Sequence, residues 1–132
     1  AYTTLELGGK SPVVVFADAD LDSAANAVVA GIFAATGQSC VAGSRLLVER
    51  SVKDEFLARL KRKAEAIAIG DPQDTATEMG PLATLRQRER IETIVAESLA
   101  GGGRLITGGA RPEGKADGFY YAPTIIEAQD QA

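Results

Sequence analysis

A chain of 132 residues and 13.7 kDa, 45% of them hydrophobic, is the size of one ordinary domain and carries enough apolar side chains for a core. With 14 basic against 18 acidic residues, a net charge of −4, an aromatic share of 5% and no Trp, a phosphate-tracking or base-stacking surface for nucleic acid is excluded. The absence of His removes Ser-His-Asp and Cys-His catalysis and the usual His-containing metal sites, so any proton transfer falls to a carboxylate, Lys or Tyr.

No window approaches the roughly 20 apolar residues of a membrane span, and Ala1-Tyr2-Thr3-Thr4 has neither a basic n-region nor a cleavage pattern. No membrane association and a cytoplasmic location are the expectation. The single Cys, which cannot form an intrachain disulfide, agrees with a reducing compartment.

In chain order, Leu5-Glu6-Leu7-Gly8-Gly9-Lys10 reads as a strand end followed by a double-glycine turn, where the backbone can pass close to a ligand. Glu6 between two leucines is a candidate general base, since an apolar setting raises a carboxyl pKa; the bland alternative is an exposed polar position in an alternating strand. Pro12-Val13-Val14-Val15-Phe16 is a β-branched run of the kind found in strands covered on both faces, with Pro12 at its first residue. Asp18, Asp20 and Asp22 offer an N-cap for a helix from about Leu21 to about Thr36, whose Ala24, Ala25, Val28, Val29, Ile32 and Phe33 face the core while Gly31 permits close packing.

Gly37 ends that helix, and Gln38-Ser39-Cys40 leads into a strand over Arg45-Leu46-Leu47-Val48-Glu49. Cys40 therefore lies in a connection, where a scaffold can hold a reactive group; a lone Cys is otherwise a small buried hydrophobe. Ser51 to Asp54 has the form of an acidic capping box, and Val52, Phe56, Leu57, Leu60, Ala64 and Ile67 carry a helix to Gly70-Asp71-Pro72, with Lys61-Arg62-Lys63 on a solvated face.

After a polar loop, Thr84 to about Ala100 is a third helix with Leu85, Ile91, Ile94, Val95 and Leu99 inward and Arg86, Gln87, Arg88 and Arg90 largely opposite. Thr84 and Gln87 fit a capping box. Arg104 to Thr107 is a short strand and Phe119 to Ile126 a last one, interrupted by Pro123 and so near an edge. Neither late glycine cluster fits a Walker loop or GxGxxG. Strands alternating with helices predict an α/β fold, a mainly parallel sheet with flanking helices and right-handed crossovers.

Leu5-Glu6-Leu7-Gly8-Gly9-Lys10-Ser11-Pro12 and Gly37-Gln38-Ser39-Cys40-Val41-Ala42-Gly43-Ser44-Arg45 together closely resemble the glutamate and cysteine signatures of the NAD(P)-dependent aldehyde dehydrogenase superfamily, and the likeness continues through Met79-Gly80-Pro81-Leu82 and Tyr121-Ala122-Pro123-Thr124. The resemblance implies that Cys40 is the nucleophile toward an aldehyde, passing through a thiohemiacetal and a thioester, and that Glu6 is the general base that activates the hydrolytic water. It further implies NAD or NADP as cofactor, backbone positions Leu7 and Gly8 near the nicotinamide, Gln87 near its ribose, Ser39 and Val41 in the substrate wall, the Cys40 N–H as one oxyanion donor, and no metal.

Members of that superfamily are several times longer. The resemblance therefore implies that residues 1–132 are a single partial catalytic domain, with the cofactor-binding domain, the oxyanion-hole Asn and the oligomerisation arm outside it. The parent is then a homo-oligomer acting on a small-molecule aldehyde, and the isolated chain is expected to be inactive and, through uncovered apolar surface, to self-associate. Two alternatives stand beside this: a non-catalytic assembly or ligand-binding module that keeps the fold, and a thiol esterase using Cys40.

Overall fold

The computed structural model describes residues 1–115 and 117–128. It is an α/β chain that divides into two compact units, Ala1–Leu60 and Lys61–Ala132. Among the described residues no helix is long and apolar enough to cross a membrane.

In the first unit, β1 (Pro12–Val15) and β2 (Arg45–Val48) pair in parallel, with Pro12 opposite Arg45 and Val15 opposite Val48. Between them runs α1 (Leu21–Phe33), started by Asp20, whose side chain accepts the Ser23 N–H at 2.7 Å. Val15, Ala25, Val28, Ala42, Phe56 and Leu60 are buried, which places the core of this unit on the β1–α1–β2 crossover and the first part of α2 (Lys53–Glu65). Phe56 and Leu60, four positions apart on one face of α2, are its most deeply buried large side chains.

Several expectations are corrected here. Leu5-Glu6-Leu7 is not a strand end: residues 1–11 form no regular element, and residues 1–10 are all exposed. The valine run is not covered on both faces, since Val14 is 54% exposed while Val15 is buried; no neighbouring element of the described chain covers the Val14 side. Gly31 is exposed and a Cβ there would meet nothing within 4 Å, so it mediates no close packing. Ser51 caps no helix: its hydroxyl donates to Glu49 at 2.9 Å, and a turn of 3-10 helix, Arg50–Val52, leads into α2 instead.

In the second unit, α3 (Leu85–Ala100) begins at Thr84, whose hydroxyl accepts the Gln87 N–H at 3.2 Å as the capping pattern predicts. β3 (Arg104–Thr107) pairs with β4 (Ile125–Glu127) in antiparallel fashion, with an irregularity between Leu105 and Thr107. The predicted last strand is thus confined to its end. Residues 119–124 stay irregular, held by bonds such as Leu82 N–H to the Phe119 carbonyl at 3.0 Å.

Arg88 is also reassigned, from the outer face of α3 to the interior. It is 9% exposed, donates through Nη1 to the Gly118 carbonyl at 2.9 Å, and lies over the Phe119 ring at 5.9 Å. A guanidinium, more weakly hydrated than an ammonium, is readily buried against a carbonyl partner and an aromatic face.

Candidate active site

The residues singled out by the two motifs lie on the approaches to the parallel strands. Glu6, Leu7 and Gly8 precede β1, and Cys40 precedes β2. Parallel pairing runs both strands in one direction, so the segments that enter them emerge on the same edge of the sheet. Pro12 opposite Arg45 fixes the register at that edge.

Main chain meets main chain between the two segments. A Cβ built at Gly9 would stand 2.9 Å from the Cys40 carbonyl oxygen, a distance real Cβ atoms do not tolerate. Gly9 is not in the left-handed region, so glycine is required there for space rather than for conformation. Gly8 is the converse case: its φ of +67° suits glycine, while nothing stands within 4 Å of where its Cβ would be. The Gly8 backbone therefore faces open room.

Two bonds from Arg45 extend the seam. Its N–H donates to the Ser11 carbonyl at 3.2 Å and its Nε to the Lys10 carbonyl at 2.9 Å. On the other side, the Gly43 N–H donates to the Gly31 carbonyl at 3.1 Å, and Ala42 is buried, which anchors the cysteine loop to α1.

Cys40 itself is exposed, in a turn closed by the Ala42 N–H on the Ser39 carbonyl at 3.1 Å. Ser39 is exposed and Val41 is 75% exposed beside it. Upstream, Ala35, Thr36 and Gly37 adopt consecutive positive φ values of 50°, 55° and 70°. The left-handed region costs a non-glycine residue about 1 kcal/mol, so Ala35 and Thr36 store strain immediately before the cysteine loop. The Thr36 hydroxyl donates to the Ala35 carbonyl at 2.6 Å, and the Gln38 side-chain amide donates to the Thr36 hydroxyl, which helps hold the turn.

The expected apolar enclosure of Glu6 is absent in this chain: Leu5 and Leu7 are 68% and 84% exposed. What the structure brings together is the main chain of Gly9 and that of Cys40, with Glu6, Leu7 and Gly8 on the exposed stretch that precedes Gly9. Gln87, exposed in the first turn of α3, belongs to the second unit. The sequence marks Gly9 as half of a double-glycine turn and Arg45 as the start of a strand, but carries no signal for the contacts they make across the seam.

A cleft of about 360 Å³ in the second unit, lined by Glu92, Val95, Leu99, Arg111 and Tyr121 among others, holds none of the candidate site residues Glu6, Leu7, Gly8, Cys40 and Gln87. Arg111 donates to Glu92 at 2.7 Å and holds that carboxyl below its ordinary value, while burial and the Glu92 charge push the Tyr121 phenol up. Among the described residues no group of three or more His, Cys, Asp or Glu is placed to hold a metal ion.

The aldehyde dehydrogenase family model matches residues 1–132. The chain is 58% identical over 127 residues to the (Z)-2-((N-methylformamido)methylene)-5-hydroxybutyrolactone dehydrogenase of Acinetobacter baylyi, which covers 96% of this chain and 26% of that protein. It is 48% identical over 126 residues to a betaine aldehyde dehydrogenase of Sinorhizobium fredii, covering 95% of this chain and 26% of the relative. Among solved structures it is similar to the betaine aldehyde dehydrogenase of Staphylococcus aureus in complex with NAD+, with a TM-score of 0.89 at 39% identity over 92% of this chain and 24% of the other. The chain thus spans about a quarter of the length of the curated relatives it matches.

Proposed function

This chain belongs to the aldehyde dehydrogenase family, and from that premise we propose that the protein carrying it oxidises an aldehyde to a carboxylic acid with NAD or NADP. The observation that supports this reading best is the seam between the two motif segments, where Gly9 lies on the Cys40 carbonyl. A carboxylate and a thiol borne on segments in main-chain contact can address one carbon.

In this reading the Cys40 thiolate forms a bond to the aldehyde carbon, and the carbonyl oxygen takes up negative charge. The Cys40 N–H is one donor to that oxygen, an interaction worth about 3 kcal/mol in comparable sites. When bound, the nicotinamide supplies the hydride acceptor that carries the thiohemiacetal to a thioester. Glu6 then removes a proton from water as the water adds to the thioester carbon, and the thiolate leaves. A thiolate serves as nucleophile and as leaving group, so a chain without His can complete the cycle.

The open room beside Gly8 fits a flat ring approaching the main chain, and Leu7 and Gly8 are the backbone positions assigned to that contact. Gln87, with its side chain at an exposed helix start, is assigned to the ribose. Both assignments follow from the motif positions. The 132-residue polypeptide by itself is inactive in this reading, because holding a cofactor and completing the oxyanion site draw on the rest of a chain as long as its relatives.

The test is aldehyde-dependent formation of NADH or NADPH by the full-length protein. Cys40→Ser should abolish it. Glu6→Gln should allow reduced cofactor to appear in a burst and then stall at the thioester. Undiminished turnover in Cys40→Ser would overturn the proposal.

A further inference from the structure

We propose that Arg45 is a positioning residue for this reaction, holding the segment that bears Glu6 down on the loop that bears Cys40. The inference rests on the aldehyde-oxidising reading and adds to it a side chain that touches neither substrate nor cofactor.

The need for such a tie follows from the exposure of residues 1–10. No side chain in that stretch is buried, so packing does not fix where Glu6 lies. Among the described residues, the ties that link the stretch to the cysteine loop and its strand are the Gly9 contact with the Cys40 carbonyl and the Arg45 bond to the Lys10 carbonyl. The first is mere proximity. The second is a charged donor on an amide oxygen, the stronger class of hydrogen bond.

The sheet ladder reaches only as far as Ser11. Pro12 pairs with Arg45, whose main-chain N–H donates to the Ser11 carbonyl as the last ladder bond at this end. The Arg45 side chain carries the tie one residue further, to the Lys10 carbonyl. Lys10 directly follows Gly9. Releasing the Lys10 carbonyl would free Gly9 to lift from the Cys40 carbonyl, and Glu6, three residues upstream, would move with it.

The test is a double-mutant cycle in the full-length protein between Arg45→Met and Glu6→Gln, read as kcat and as aldehyde KM. Losing the charged hydrogen bond should lower kcat about tenfold with little change in KM. Because Arg45 acts through Glu6, Arg45→Met placed on Glu6→Gln should lower the residual rate no further. Arg45→Lys, which keeps a cationic donor on a long stem, should recover part of the loss. Losses that multiply in the double variant, or a wild-type kcat in Arg45→Met, would overturn the proposal. If Arg45→Met fails to fold, the cycle is run with Arg45→Lys under the same two criteria. Aldehyde oxidation persisting in Cys40→Ser would instead sink the functional reading, so the two failures are distinguishable.

Discussion

Glu49 accepts the backbone N–H of Ala17 at 2.8 Å, a bond between the residue that follows β2 and the turn that follows β1. Its own N–H donates to the Val15 carbonyl at 2.9 Å, and the Ser51 hydroxyl donates to its other carboxylate oxygen at 2.9 Å. Arg45 makes the matching connection at the opposite end of β2. The parallel pair is thus closed at both ends by side chains reaching for main-chain groups.

Acid should loosen the far closure. The Ala17 N–H, aided by the Ser51 hydroxyl, holds the Glu49 carboxyl below its ordinary value of 4.5, and the Ser23 N–H does the same for Asp20, below 3.8. A carboxyl depressed on folding contributes stability that is complete above its unfolded pKa and is lost as pH falls through the folded one. Denaturant midpoints should therefore drop as pH falls below about 4.5, and Glu49→Gln should flatten that limb. An unchanged acid profile in Glu49→Gln would remove Glu49 from the explanation.

Glycine substitutions should divide by location. Gly31 is an interior position of α1 with open space beside it, so Gly31→Ala should stabilise the protein by about 1 kcal/mol. Gly108 has φ +76° and would place a Cβ 2.1 Å from the Pro123 carbonyl oxygen, so Gly108→Ala should destabilise it sharply. Thermal midpoints of the two variants check both signs.

Arg88 should be costly to remove even though the sequence places it on a solvated face. Arg88→Ala leaves the Gly118 carbonyl without its donor and the Phe119 ring without its cover, a loss of about 2 kcal/mol in urea unfolding. Its Nε has no hydrogen-bond partner, since Glu92 stands 3.5 Å away, close enough for ionic attraction only. A loss under about 0.5 kcal/mol would show that the Gly118 and Phe119 contacts contribute little to stability.

Such differences mark where sequence patterns carried information and where they did not. β1, α1, α3 and β3 were legible because period and caps coincide there, as with Asp20 and Thr84. Arg88 was misplaced because a long amphipathic side chain can turn inward once a carbonyl and an aromatic ring are in reach, and that pairing with residues 118 and 119 is invisible to helical periodicity. Residues 119–124 read as a strand from their composition, yet long-range bonds to Leu82 and Ala110 set their course. The site was legible as two motifs, while their apposition depended on a parallel pairing that spacing alone does not specify.

The isolated 132-residue polypeptide should associate with itself. Val14 and Leu47 are register partners and both are exposed, so one face of the parallel pair is apolar and uncovered, with Phe16 63% exposed beyond it. Sedimentation should show mass rising with concentration, and Val14→Thr should reduce the rise. A monomer at every concentration would contradict this.

The seam also has a consequence for the order in which the chain folds. Lys10 and Arg45 are 35 positions apart, and the bond between them closes a loop that contains all of β1 and α1. Loop-closure entropy opposes that bond until the intervening crossover has condensed. The Lys10–Arg45 bond should therefore form only after the crossover has condensed, so that Arg45→Met raises the unfolding rate and leaves the refolding rate nearly unchanged.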